Sequence, residues 1–147
     1  MIGSLLKECK FVKVENSAAA GTGTVVGEIV DTAGYGGACF VYKLGAVTDA
    51  GVVTLKVYQG SNATVTDVAE LTGASAAIAA TSSDSEQMLV VDVILPRERY
   101  LRPSLIIADQ TAEIDWGMCI LYNPRVIPVT QTAAVDDDAL VVSPAEV

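Results

Sequence analysis

The sequence has 147 residues, of which 51% are hydrophobic, and its 18 acidic and 9 basic residues give a net charge of −9. A chain of this length is expected to form one domain whose core needs neither disulfides nor a metal. The acidic excess argues against nucleic acid as a direct partner, because phosphates carry the same sign of charge. Histidine is absent, which removes the commonest general base and a common zinc ligand, so we expect no metal, no cofactor and no catalytic residues.

The N-terminus, MIGSLLKECK, has too short an apolar stretch for a secretory signal. No later run approaches the roughly 20 apolar residues that a membrane helix needs. The sequence therefore predicts synthesis in the cytoplasm and no membrane partner. The three cysteines, Cys9, Cys39 and Cys119, lie far apart, each in an apolar run. They are expected to be reduced residues in or near the core rather than reactive thiols.

Four strands separated by turns are predicted in the first half of the chain. They are Lys10–Glu15, Thr24–Val30, Ala38–Leu44 and Val52–Tyr58. In the last two, alternation places Phe40, Tyr42 and Leu44, and then Val53, Leu55 and Val57, on one face. Ser17–Gly23 is predicted to be a loop of small residues, and Gly27 suggests a β-bulge. Asp31–Gly37 and Ala46–Gly51 have the composition of turns, with Asp31 placed to hydrogen-bond the local backbone.

The centre of the chain is less regular. Val65, Val68, Ala69 and Leu71 fit a short helical turn as well as a broken strand, and the helical turn is preferred. Ala74–Thr81 has high helix propensity by residue but is bounded by Gly73 and a run of serines, so a strand is predicted there. That strand is expected to pair near the next one through a loop at Ser82–Gln87.

The clearest pattern runs from Met88 to Pro128 and predicts three strands. Met88–Leu95 would bury Leu89, Val91, Val93 and Leu95. Tyr100–Ala108 would bury Leu101, Leu105 and Ile107, with Arg102 and Ser104 facing outward. Its Pro103 lacks an N–H group and favours an edge or bulged position. Ala112–Tyr122 would bury Ile114, Trp116, Met118, Ile120 and Tyr122, with Glu113 and Asp115 on the other face.

About eight short strands, with turn signals at spacings of about 8 to 12 residues, are typical of a sandwich or barrel. After Pro128 the composition shifts to a segment with no basic and no aromatic residue, which is expected to leave the domain. The sequence therefore predicts an all-β domain at residues 11–129, an N-terminal arm at residues 1–10 and an acidic tail at residues 130–147.

Three acidic motifs have a chemical and an ordinary interpretation. Asp31-Thr32-Ala33-Gly34 spells the DxxG box of GTPases, but no phosphate-binding loop accompanies it, so a turn is preferred. Glu113 and Asp115 share a strand face and could ligate a cation or act as an acid/base pair, but no third ligand lies nearby, so a solvated face is preferred. Asp136–Asp138 could bind calcium or a basic surface, and a solvated tail is preferred.

The most informative polar group is basic. The four arginines all lie in the second half of the chain, and they could cluster in space. The candidate partner-binding residues are Arg97, Arg99, Tyr100, Arg102 and Arg125. Two interpretations stay open: a solvated turn whose arginine stems cover apolar surface, or an interface, where arginine and tyrosine are enriched.

Three stretches together resemble a known family. They are VDTAGYGGACFVYKLGAVTDAG at Val30–Gly51, LKVYQGSN at Leu55–Asn62, and DVILPRERYLRPSLIIADQTAEIDWGMCILYNPRVIPV at Asp92–Val129. They are similar to the small cement or decoration proteins that coat the heads of tailed bacteriophages. The most specific part is the order of an apolar strand, a proline, the basic RYLR strand, a spacer, an alternating strand, and then Arg125 and Pro128 before a polar tail.

The resemblance implies a jelly-roll-like β-sandwich with extended N- and C-terminal arms, made in the host bacterial cytoplasm and placed on the capsid exterior of the virion. It implies homo-oligomers, usually dimers or trimers, that clamp neighbouring copies of the major capsid protein, and it brings no catalytic residues, so an enzyme is the least expected class. Two alternatives stay open. One is another phage structural component, such as a head-fibre base or tail protein. The other is a carbohydrate-binding sandwich, for which Tyr35, Tyr58 and Trp116 are the candidate aromatic contacts.

Overall fold

The computed structural model describes residues 3–64, 69–79 and 85–142. Within these ranges the chain forms one short helix and eight strands. They are α1 (Leu5–Glu8), β1 (Lys10–Glu15), β2 (Ala18–Val26), β3 (Val30–Asp31), β4 (Tyr35–Val47), β5 (Val52–Gly60), β6 (Ala69–Ala79), β7 (Met88–Ile94) and β8 (Tyr100–Pro124). No helix in the described residues is long and apolar enough to cross a membrane.

The 25-residue strand β8 organises the fold. One edge of β8 pairs antiparallel with β1, β2 and β3 in turn. The other edge pairs with β4 and then with β5, and these two strands carry β7 and β6 on their far sides. The two strands predicted at Tyr100–Ala108 and Ala112–Tyr122 are therefore one, and the ladder with β2 is irregular around Asp109, whose φ is 66°.

The two halves of β8 belong to opposite layers of a sandwich. Leu101 and Leu105 from its first half share one buried cluster with Cys119 and Leu121 from its second half. All eight strands contribute to this cluster or pack against it. The prediction of an all-β, jelly-roll-like sandwich of about eight strands is confirmed.

The predicted faces of β4 and β5 are confirmed. Phe40, Tyr42, Leu44, Val53, Leu55 and Val57 have no exposed surface. Each of the two strands has a neighbouring strand on both sides. Alternate side chains therefore point to one face of the sheet, and that face packs on the core. In β7, Leu89, Val91 and Val93 are buried as predicted. Leu95 was predicted to be buried, but it lies beyond the strand with φ 50° and is 73% exposed.

Several predicted boundaries are wrong. Ser17–Gly23 was predicted to be a loop, but Ala18–Val26 is a strand because β8 offers a free edge to its small residues. The strand predicted at Ala74–Thr81 begins at Ala69, which also rules out a helical turn at Ala69 and Leu71, while the rest of that predicted turn, 65–68, lies outside the described residues. This strand pairs with β5 rather than with β7.

The predicted inward face of the second half of β8 is wrong beyond Ile114. Lys43 of β4 pairs with Trp116 and Leu44 pairs with Ile114, so Asp115 is an extra residue in β8. A one-residue bulge moves every following side chain to the opposite face. The buried residues are accordingly Gly117, Cys119 and Leu121, whereas Trp116 is 39% exposed. Met118, Ile120 and Tyr122 follow Trp116 onto the outer face.

Gly27 marks the irregularity expected of it. Strand β2 ends at Val26 and β3 begins at Val30, and between them the Gly27 N–H donates to the Pro103 carbonyl at 2.9 Å. Pro103 therefore lies opposite the gap between β2 and β3, where its missing N–H leaves no ladder hydrogen bond unmade. Ser104, predicted to face outward, is 2% exposed, and it lies between its ladder partners Lys56 of β5 and Val26 of β2.

The chain after β8 returns to the N-terminal segment. The Val129 N–H donates to the Lys7 carbonyl at 2.9 Å. The Gln131 side-chain amide donates to the carbonyls of Leu6 and Cys9, and its oxygen accepts from the Phe11 N–H at 3.0 Å. These bonds tie residues on both sides of the predicted boundaries at 10 and 130, and the boundaries themselves stay a prediction.

Candidate functional site

Three connections meet at the end of the sandwich where β8 begins and ends. They are the β3–β4 turn, the β7–β8 loop and the chain just after β8. Together they form a surface depression of about 300 Å³. Its lining consists of Thr32, Ala33, Gly34, Tyr35, Pro96, Arg97, Arg99 and Arg125, and we call it the arginine depression.

Backbone hydrogen bonds hold the three connections together. The Thr32 N–H and hydroxyl both donate to the Arg99 carbonyl, at 2.9 and 2.8 Å. The Arg125 N–H donates to the Gly34 carbonyl at 2.8 Å. Asp31 Oδ1 accepts from the Ala33 N–H at 3.0 Å, which confirms the predicted turn at the DxxG sequence. The arginines thus project from loops whose backbone is fixed.

Arg99 is engaged within the chain. Its guanidinium donates to both Asp31 carboxylate oxygens, at 2.9 and 2.8 Å, and lies 5.1 Å from the centre of the Tyr100 ring. The hydrogen bonds from Arg99 hold the pKa of the Asp31 carboxyl below its usual value, and the same contact raises the pKa of Arg99. Arg99 therefore contributes both to the charge of the depression and to the geometry of its rim.

Arg97 and Arg125 are the uncommitted charges of the depression. Both are exposed, and neither makes an ion pair with any residue that the structure describes. Asp31 is the one carboxylate in the described ranges that forms an ion pair with an arginine of the lining. Three guanidinium groups against one carboxylate leave the depression locally positive in a protein whose net charge is −9.

Arg102 lies apart from the other three. It extends from β8 opposite Tyr58, and its guanidinium lies 5.7 Å from the centre of that ring. Its Nε is buried without a hydrogen-bond partner among the described residues. The structure thus brings together three of the four arginines, with Tyr100 beneath Arg99 at the edge. Their role in binding a partner stays a prediction.

The cysteines confirm their predicted environment. Cys9 and Cys119 are buried, Cys39 is half-buried, and all three are free thiols. Burial is the main cause that raises the pKa of each thiol, so the reactive thiolate form is disfavoured.

Of the acidic pair on β8, Asp115 forms a surface ion pair and Glu113 forms none within the described residues. Asp115 accepts a hydrogen bond from Lys43 Nζ at 2.7 Å, and the same ammonium group also contacts Glu86. The hydrogen bonds to Asp115 and Glu86 raise the pKa of Lys43. Glu113 accepts from the Ala46 N–H at 3.4 Å. In residues 3–64, 69–79 and 85–142, no three Cys, Asp or Glu side chains converge in a geometry suited to a metal.

The bulge at Asp115 creates an apolar outer face that the sequence did not predict. Across the layer, Val90 pairs with Val41, Val41 with Met118, and Met118 with Lys13 of β1. Met88 and Trp116 lie beside this row, because both are ladder partners of Lys43. At the β1 side, Ala134 and Val135 from the tail line a cleft of about 220 Å³ together with Phe11, Val12, Lys13, Trp116, Gly117 and Met118.

The aromatic residues proposed as sugar contacts do not form one platform. Tyr35 lies in the arginine depression, and Tyr58 lies against Arg102 on β5. Trp116 pairs with Lys43, eight residues along β4 from Tyr35. At about 3.4 Å per residue this separates Trp116 from Tyr35 by about 27 Å along the strand.

Comparisons with known proteins find partial structural similarity at very low sequence identity. No protein-family model matches the chain, and no curated protein sequence matches it significantly. Latent PorU from Porphyromonas gingivalis aligns with 80% of this chain at 11% identity and a TM-score of 0.47. A structure of infectious bursal disease virus aligns with 83% at 6% identity and a TM-score of 0.46. This chain spans only 13% of the first and 35% of the second. A carbohydrate-binding module of Cellvibrio mixtus lichenase 5A aligns with 77% of this chain and 96% of its own, at 11% identity and a TM-score of 0.35.

Proposed function

We propose that this chain is a structural virion protein that binds the outer surface of a bacteriophage capsid and stabilises it by clamping neighbouring copies of the major capsid protein. The observation that carries the proposal is the arginine depression, because a protein of net charge −9 needs a local positive surface to bind an acidic neighbour. The jelly-roll-like fold and the sequence resemblance to phage decoration proteins point in the same direction.

Binding by surface contact suits what the fold offers. Arg97 and Arg125 are exposed and without ion pairs in the described part of the chain, and their loops are fixed by the backbone bonds of Gly34 and Thr32. Fixed loops lose little conformational entropy when a partner binds. Many copies on one capsid then convert a modest affinity per contact into stable attachment. The predicted location is the capsid exterior, after synthesis in the host cytoplasm.

Co-sedimentation with capsids that lack this protein tests the proposal. The Arg97→Ala/Arg125→Ala variant is expected to occupy fewer sites than the unchanged protein, while its circular dichroism spectrum and unfolding midpoint stay the same. Arg102→Ala is the matched control, because Arg102 lies outside the depression and is expected to leave occupancy unchanged. Equal occupancy by the double variant would refute the role of the depression. Protein that ignores capsids but binds a glycan array would refute the proposed function as a whole.

A further inference from the structure

A second cleft adjoins the arginine depression. It has a volume of about 570 Å³ and lies between the two outermost strands, with β6 on one side and β7 and the start of the β7–β8 loop on the other. Its apolar lining includes Leu71, Ala74, Val93, Ile94 and Leu95, and its polar lining includes Gln59, Glu70, Thr72 and Asp92. Pro96 and Arg97 line both this cleft and the arginine depression, so the two are adjacent.

The strands that border this cleft have unoccupied edges. Within the described residues β6 pairs with β5, β7 pairs with β4, and neither has a ladder partner on its other side. An exposed strand edge attracts an added strand, and native proteins usually protect it with lysine, proline or a bulge. Strand β7 has none of these, and Met88, Val90 and Ile94 on its outer face are exposed together with Asp92, which accepts a hydrogen bond from the Tyr122 hydroxyl. The free edge of β7 and the apolar part of the cleft are therefore suited to an extended segment with apolar side chains.

The tail of the same chain has a matching sequence. Asp136–Asp138 are followed by Ala139 and then by Leu140, Val141 and Val142, and all seven residues are exposed. Three carboxylates followed by apolar, partly β-branched residues repeat the order of the positive depression and the apolar part of the cleft, formed by Leu71, Ile94 and Leu95. We propose that the arginine depression and the adjoining cleft receive residues 136–142 of a second copy of this chain. The inference rests on the proposed function in treating the depression as a binding surface.

Geometry assigns the segment to a different copy. Ala134 and Val135 line the cleft of about 220 Å³ on the β1 side together with Trp116 and Met118. Met118 is six residues before Pro124, which pairs with Tyr35 in the depression, so the two places are about 20 Å apart along β8. Asp138 follows Val135 by three residues and can reach at most about 11 Å from it. A tail seated in its own cleft therefore cannot place its aspartates in its own depression.

The contact joins two different surfaces, so it is heterologous. Repetition of a heterologous contact gives a closed ring of copies, or a chain if the rotation does not close. Two copies that exchange tails reciprocally form a dimer. In each case the acidic tail joins the copies. Without the arginine depression, repulsion between the negative charges would keep the tail away from other copies.

Self-association of the purified full chain, without capsids, tests the inference. We expect the mass measured by sedimentation velocity to exceed that of one chain and to fall as salt is raised, because ion pairs at the surface are screened. Asp136→Asn/Asp137→Asn/Asp138→Asn should raise the dissociation constant about tenfold or more. The direction is diagnostic, because neutralising three aspartates lowers the repulsion between chains of net charge −9 and would strengthen association through any other surface.

A charge swap supplies the positive control. Arg97→Glu/Arg125→Glu alone should abolish association, and adding Asp136→Lys/Asp137→Lys/Asp138→Lys to the same chain should restore it. Arg102→Ala should associate like the unchanged protein. The pairing is overturned if the unchanged protein stays monomeric, if the asparagine variant associates as strongly, or if the swapped chain stays monomeric. The variant with three asparagines keeps the arginines of the depression, so its occupancy on capsids reports the proposed function separately from its loss of self-association.

Discussion

Replacing Gly27 with alanine tests a position that buried groups crowd on several sides. A Cβ atom there would lie 2.6 Å from the Tyr42 hydroxyl, 2.8 Å from Pro103 Cγ and 3.1 Å from the Val14 carbonyl oxygen. Tyr42 has no exposed surface, so its ring cannot swing into solvent. Overpacking of this kind costs about 1–3 kcal/mol. At about 2–4 °C per kcal/mol for a domain near this size, a loss of about 2 kcal/mol lowers the melting temperature by about 4–8 °C.

A second substitution identifies the source of that cost. Tyr42→Phe removes the hydroxyl oxygen, which is the atom nearest to the added Cβ. That oxygen is buried without a hydrogen-bond partner among the described residues, so its removal alone should cost little. The double variant should recover about 1 kcal/mol of the Gly27→Ala loss, which is a measurable coupling in a double-mutant cycle.

Urea unfolding followed by circular dichroism measures both effects. Gly21→Ala is the matched control, because the nearest atom to its Cβ would be a carbonyl oxygen at 3.8 Å, and its effect should stay within about 0.5 kcal/mol. The reasoning is wrong if Gly27→Ala is as stable as Gly21→Ala. It is also wrong if Tyr42→Phe leaves the cost of Gly27→Ala unchanged.

Three further tests address the site, the bulge and the tail. Asp31→Asn should cost up to about 1 kcal/mol at neutral pH. Because folding lowers the pKa of this carboxyl, its stabilisation is complete above the unfolded value of about 3.9 and is lost as pH falls through the folded pKa, so the variant and the unchanged protein should converge in acid urea titrations. Deleting Asp115 should leave a folded protein in circular dichroism, since it removes only the extra bulge residue, whereas deleting Met118 should unfold it by reversing the faces that follow. Val135→Asp should shift the fluorescence of the single tryptophan, Trp116, to longer wavelength, and an unchanged spectrum would contradict the seating of the tail.

Alternation predicted the faces of Ala38–Leu44 in β4 and Val52–Tyr58 in β5 because these segments contain no extra residue, and the extra residues opposite them lie in β8 and β6. It failed in β8 for a physical reason. The bulge at Asp115 depends on how Lys43 and Leu44 of another strand pair with it, and nothing in the local alternation of β8 records that pairing. The same holds for Ser17–Gly23, whose small residues have little intrinsic preference for a strand and become one because β8 offers an edge. Regular strands were predictable and tertiary irregularities were not.

In the candidate site, too, some features were predictable from the sequence and others were not, and the structure suggests how the site would bind a partner. The sequence shows that the arginines fall in one half of the chain, but it does not show which three lie together in space. That depends on hydrogen bonds between residues far apart in the sequence, Thr32 with Arg99 and Gly34 with Arg125. Once formed, those bonds fix the arginines before any partner arrives, whereas residues 136–142 lie exposed along the surface. The cost of ordering then falls on the acidic segment alone, and attraction to a fixed positive site offsets it. Raising the salt concentration should therefore weaken binding at this site more than removing any single apolar contact does.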